Sequence, residues 1–266
     1  MLRGMYTASN AMQALQRQQE MLSNNLANVR TPGFRADQAS LRTFPEMLIQ
    51  QSAVNERTGV RSKGTVGTLA TGVFMQAATP NFAQGSITET GNATDLQISS
   101  ETGTPMFTVF RENLQEFGTA ERGETLYTTN GQFSVGTDGL LRTTDNELVL
   151  GEDGNPLNVV NEDFIVSADG AVTDGNGQAI GRLGLVVTGN PEELERVGNG
   201  RYRSPEPLEA GAVKVDQGVL ELGNVEVEQT MAEMNAGLRQ FEANQKVIQA
   251  YDRTAEKAVS EIGRVR

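Results

Sequence analysis

Apolar residues near the start of the chain recur at alternating steps of three and four: Met5, Ala8, Met12, Leu15, Leu22, Leu26 and Val29, with Gln19 in the one polar slot. That spacing puts every member on one side of an α-helix and is the stripe of a coiled-coil seam. The far end repeats it through Val227, Met231, Met234, Leu238, Phe241, Ile248, Ala255, Val259 and Ile262, interrupted by Gln245 and Asp252. At about 1.5 Å per residue the two helices would extend roughly 37 and 54 Å, long beside the usual helix of about 11–12 residues.

Between these ends the period changes. Asn130-Gly131, Asp138-Gly139, Asp153-Gly154, Asp169-Gly170 and Asn199-Gly200 separate short runs such as Gln132–Val135, Glu147–Leu150, Phe164–Val166 and Leu183–Thr188. Asn-Gly and Asp-Gly supply the positive φ angles of tight hairpins, so the middle is expected to be β-rich. Asn55–Gly91, rich in Gly, Thr and Ser with isolated Val66, Leu69, Val73 and Phe74, reads as extended chain with little core of its own. The boundaries expected are an N-terminal assembly helix over 1–30, an extended or β connector over 31–91, a β-rich domain over 92–204, a return connector over 205–224 and a C-terminal assembly helix over 225–266. The fold class is mixed α+β, with the two terminal helices pairing as an antiparallel coiled coil and an all-β domain inserted between them.

Composition narrows the chemistry. A formal net charge of −12 and a pI near 4.6 give no basic field for phosphate, so no nucleic-acid partner is expected. The absence of Cys, His and Trp removes disulfides, thiolate and imidazole metal sites and His-based acid/base chemistry. No enzyme, catalytic residue, cofactor or metal ligand is assigned. Met1–Val29 lacks the pattern of a cleaved secretory signal, and no stretch approaches the ~20 apolar residues of a membrane span. Direct membrane insertion is therefore not expected, and export, if it occurs, leaves the N-terminus uncut.

Several short patterns have bland readings that outweigh the sharp ones. Gly175-Asn176-Gly177 with Gly181 mimics a dinucleotide fingerprint but precedes a strand rather than a helix, which favours a hairpin. Asp174, Asn176 and Gln178 alternate like a calcium loop, yet Leu185 stands where the bidentate Glu belongs. Glu192, Glu193 and Glu195 follow Pro191 and read as a solvated face. Arg264 and Arg266 suit the negative end of a helix dipole. Gln19, Gln245 and Asp252 either set register in a seam or are solvated.

Ser23-Asn24-Asn25-Leu26-Ala27-Asn28-Val29-Arg30-Thr31-Pro32-Gly33-Phe34 closely resembles the N-terminal signature of flagellar rod and hook proteins. Gly91–Ile98, Tyr127–Phe133, Pro191–Tyr202 and the acidic return Gly223–Glu228 resemble further segments of the distal rod type, in family order. After Ile98 the family pattern of Gly and two aromatic residues is replaced by Ser99–Pro105 and then Met106-Phe107, which leaves the position in proximal rod, distal rod or hook open.

The resemblance implies a structural subunit of the flagellar basal body that polymerises through its terminal helices into a torque-transmitting tube. It implies export through the flagellar type III apparatus, and as partners other copies of the chain and neighbouring rod or hook proteins. The assembly interface is expected at Met5, Met12, Leu15, Leu22, Asn24, Asn25, Leu26, Asn28, Gly33 and Phe34, and at Val227, Met234, Leu238, Phe241, Ile248, Val259 and Ile262. Two alternatives remain at this point: a non-flagellar secreted filament or adhesin subunit, and a hydrolase using Asp and Glu alone.

Overall fold

The computed structural model describes residues 2–54, 61–112, 123–161 and 163–263. Arg264 and Arg266 lie outside the described residues, as do Asn55–Val60 of the expected connector and the side chains of Val66, Leu69 and Ile262. The described residues form two α-helices, α1 (Leu2–Ala27) and α2 (Val227–Gly263), and a β portion between them. It divides into two units: a terminal unit of Met1–Leu26, Asp37–Thr79 and Glu226–Arg266, and a β body of Ala27–Ala36 and Pro80–Val225.

The β body is built around an antiparallel sheet. Its central strand, Thr104–Arg111, pairs with Glu124–Thr128, with Leu148–Val149 and with Leu185–Thr188. Glu195–Gly198 and Arg201–Arg203 extend one side, and Leu141–Thr143 and Phe133–Val135 the other. A three-stranded sheet (Phe164–Val166, Ala171–Asp174, Ala179–Arg182) adds its inner residues to the same core. Alternation decides which residues go in: Phe164 and Val166 are buried while Ile165 between them is 59% exposed. Phe107, Val109, Leu126, Leu141 and Val149 meet in the centre, and the Phe107 and Phe133 rings contact edge to face at 5.0 Å.

The turns follow from residue type. Asn199 (φ 50°) and Gly200 (φ 70°) give the two positive φ values of a tight hairpin between Glu195–Gly198 and Arg201–Arg203. Asp174–Gly177 closes a hairpin onto Ala179–Arg182, where the Asp174 carboxylate accepts from the Asn176 backbone N–H. Asn130-Gly131 works differently: Gly131 accepts from the Leu96 N–H at 3.0 Å, and its missing side chain makes room for the Leu96 carbonyl.

The terminal unit contains α1, α2, the pair Asp37–Thr43 with Val73–Pro80, and an antiparallel ribbon of Met47–Val54 on Arg61–Leu69. The expected antiparallel coiled coil is absent. The helices touch at isolated places, Tyr251 against Gly4 and Gln19 near Gly237, rather than along interlocked seams. The physical reason lies in the rotation of α2. Its half-buried rows are Val227, Met234, Phe241, Ile248 and, beside them, Gly237, Asn244, Tyr251 and Ala258, which mix small and polar residues with apolar ones. The other row of the expected seam stays open, with Met231 47%, Leu238 49% and Val259 73% exposed, and Gln245 and Asp252 in line with them. A stripe divided in this way offers no continuous set of knobs and holes. The architecture is two terminal helices with a large all-β body.

Candidate assembly site

Helix α1 is the better covered of the two. Ala8, Ala14, Leu22 and Asn25 are buried, and Met5, Met12, Leu15, Gln19 and Leu26 are half-buried along the same broad face. The carbonyl of Thr71 receives the Asn10 amide at 3.3 Å and the Thr7 hydroxyl at 3.4 Å, tying the helix to the turn before Val73–Pro80.

Near its end α1 spends an Asn on its own chain. The Asn25 amide donates to the Asp37 carbonyl at 2.8 Å and accepts from the Asp37 N–H at 2.9 Å, an imitation of one rung of a β-ladder. A buried side chain with both amide groups paired carries no unmet polar cost. Asn24 is exposed, and Asn28 accepts the Thr31 hydroxyl at 3.2 Å while its carbonyl accepts the Thr31 N–H at 3.0 Å.

Within the β body, Thr31-Pro32-Gly33-Phe34 is fixed by a hub that gathers four chain segments. The Gly33 N–H donates to the Glu221 carbonyl at 2.8 Å, and the Gly33 carbonyl accepts the Thr129 hydroxyl at 2.6 Å. Gly33 has φ 66°, and a Cβ there would strike the Thr129–Asn130 peptide, so both conformation and space demand glycine. Phe34 is buried, with the Arg196 guanidinium 5.8 Å from its ring centroid.

The next residue supplies the hub's charge. Arg35, 3% exposed, reaches Glu221, 6% exposed, through two bonds of 2.5 and 3.2 Å. Arg35 also donates to the Ala83 carbonyl at 2.9 Å, and Glu221 accepts the Gly85 N–H at 2.7 Å. Asn224 completes the closure: its side chain accepts the Ala36 N–H at 2.7 Å and donates to the carbonyls of Asn81 and Ala83, each at 2.8 Å. The chain's entry to the β body and its exit therefore lie side by side. Arg35 and Glu221 have no signal in the sequence, because one Arg and one Glu 186 positions apart have no pattern that pairs them, whereas Asn224 lies in the Gly223–Glu228 return that carries the resemblance.

On α2 the expected residues fall into two groups. Val227, Met234, Phe241 and Ile248 are half-buried, whereas Leu238 and Val259 face outward with Met231. Among the described side chains of α2 only Thr230 is buried, and its hydroxyl donates back to the Glu226 carbonyl at 2.7 Å.

The hydrolase alternative calls for a concave site with two facing carboxyl groups. An open concavity of about 790 Å³ in the β body is lined by Glu101, Asp169, Arg182 and Lys214 among others. There a hydrogen bond from Arg182 holds the Asp169 carboxyl below the usual carboxylate range, with the Arg182 charge adding to the effect. A general acid in glycoside hydrolysis needs the opposite shift.

The comparisons with known proteins agree with this geometry. The flagella basal body rod protein family matches residues 5–35, which include most of α1 and the Gly33-Phe34 turn. The flagellar basal body rod FlgEFG protein C-terminal family matches residues 216–261, which include Glu221, Asn224 and most of α2. Over the whole of both chains the protein is 40% identical to the flagellar hook-basal body complex protein FlhO of Bacillus subtilis. It is 30% identical to the flagellar basal-body rod protein FlgF of Salmonella typhimurium, covering 95% of each chain. It is 27% identical to FlgG of Bacillus subtilis, covering 98% of this chain and 99% of that one. Neither a non-flagellar adhesin nor a hydrolase is among these relatives. The chain belongs to the flagellar basal-body rod protein family and is a structural subunit of the rod or hook-basal body complex, not an enzyme.

Proposed function

We propose that this subunit polymerises through its terminal helices, and that the outward row of α2 is the part of the surface a neighbouring subunit covers. The observation carrying the reading is the exposure of Met231, Leu238 and Val259 on one line of a 37-residue helix. An amphipathic helix gains little from propensity alone and is stabilised by burial of its apolar face. Here part of that face has no cover among the described residues. Packed against other copies, each square ångström of it contributes about 25 cal/mol, repeated at every subunit. A head-to-tail contact whose rotation does not close generates an open helical array, which is the form of a rod.

Within that reading the residues divide by role. Leu22, Asn25, Gly33 and Phe34 fix the chain's own fold and present the helices. Leu238 and Val259 bind the neighbour, and Asn24 offers a polar contact on α1. Met5, Met12, Leu15, Leu26, Val227, Met234, Phe241 and Ile248, half-buried in the single chain, join the interface where neighbours close over them. The partners are copies of this chain and adjoining rod or hook proteins, reached after export through the flagellar type III apparatus.

The test is Leu238→Asp combined with Val259→Asp, expressed in a strain lacking the protein. Loss of motility and of rod completion, with the urea midpoint of the purified chain unchanged, is the expected outcome. Normal swimming refutes the reading.

A further inference from the structure

The two units divide the charge of the chain very unequally. The β body, residues 27–36 and 80–225, contains 10 Lys and Arg against 23 Asp and Glu, a formal −13. The terminal unit contains 12 against 11, a formal +1. The unit that lacks the terminal helices therefore carries more than the whole net −12.

Among the described residues, seven of the body's ten cations are held in ion pairs within the body. Arg35 is held by Glu221, Arg111 and Arg201 by Glu147, Arg142 by Asp138, Arg182 by Asp169, Arg203 by Glu124 and Lys214 by Asp216. Left over are exposed carboxylates distributed over the surface, including Glu101, Asp163, Glu192 and Glu206. Cations already bound to neighbouring carboxylates are poorly placed to neutralise the acids of a second copy. Each copy that joins an assembly brings a body of the same sign.

We infer that self-association of this chain is gated by ionic strength, the β body acting as an electrostatic brake on contacts made by the nearly neutral terminal unit. The inference rests on the terminal-helix reading above and adds the condition under which it operates. Screening decides whether the brake is on: the Debye length is about 30 Å at 0.01 M salt and about 8 Å at 0.15 M. At the low value bodies tens of ångströms apart repel, and at the high value they scarcely sense one another. Apolar contacts alone have no such dependence over this range. The device keeps subunits apart in dilute, low-salt conditions without altering the contact surface.

The experiment is sedimentation velocity on the full chain at fixed protein concentrations, stepping NaCl from about 10 mM to about 150 mM, where the Debye length falls through the dimensions of a subunit. A parallel series uses E101Q/D163N/E192Q/E206Q, which removes four negative charges from the body and touches neither helix. The inference expects the wild-type association constant to rise by about tenfold or more across the range, and the variant to associate at low salt as the wild type does at high salt. Association that is present but equal at all salt concentrations, or a variant that tracks the wild type, overturns the brake and leaves the terminal-helix reading standing. No association in any arm overturns both.

Discussion

In the β body, Phe107, Val109 and Leu126 are at most 1% exposed, and the strands that carry them pack on one core. In α2, a helix of 37 residues, the apolar side chains of Met231, Leu238 and Val259 remain between 47% and 73% exposed. The first region draws its stability from contacts within the chain. The second has the same kind of side chain and an equally regular backbone, but among the described residues nothing covers this row. The contrast shows that a regular element and a stable one are different things, and that the difference is the burial of one face.

Breaking the hub that joins the body's entry and exit should have an effect as large as emptying the body's core. Glu221→Ala leaves Arg35 buried without its counter-ion, and a loss of about 3–5 kcal/mol in urea denaturation is expected. Replacing both, as R35M/E221L, should recover much of that loss, because the unpaired charge rather than the missing pair is what costs stability. Equal loss in the single and double variants would contradict this account.

Phe107→Ala removes a fully buried ring from the body's centre and should cost about 3–5 kcal/mol by the same measurement. Gly33→Ala meets both a left-handed backbone and the Thr129–Asn130 peptide, so the variant should lose upwards of about 1 kcal/mol. Leu238→Asp lies at the other extreme. On an exposed helix face it should change the stability of the isolated chain by no more than about 0.5 kcal/mol.

Acid should weaken the body modestly. Hydrogen bonds from Arg142, Arg182 and Arg203 lower the carboxyls of Asp138, Asp169 and Glu124, in that order of pairing. A depressed folded-state pKa contributes stability that is complete above the unfolded values of about 3.9 for Asp and 4.3 for Glu. That contribution disappears as pH falls through the lower folded values. The urea midpoint should therefore decline below about pH 4, and D138N/D169N should decline less steeply, by a small margin because these pairs are exposed.

What the sequence discloses depends on the range of the interaction. The helix ends, the hairpin glycines such as Gly139, Gly170 and Gly200, and the alternation in Phe164–Val166 are local, so spacing and residue type suffice to read them. Two stripes of matching period suggest a coiled coil, and the expectation fails because a stripe's period does not determine its rotation. On α2 the half-buried rows include Gly237, Asn244 and Tyr251 in place of Leu238, Gln245 and Asp252. The hub is wholly non-local: Arg35, Ala83, Gly85, Glu221 and Asn224 become neighbours only through the topology of the body. The Asn-rich signature is intermediate. Its amide chemistry is legible, but the partner of Asn25 is Asp37 of the same chain, which no periodicity announces.

Amide hydrogen exchange on the dilute, full-length monomer and on the assembled rod tests the central claim most directly. A helix whose apolar face awaits a neighbour opens readily, so amides across Val227–Gly263 should exchange orders of magnitude faster than those of Thr104–Arg111 in the monomer and become protected on assembly. Protection of α2 in the monomer equal to that of the central strand, with no gain in the rod, would contradict it.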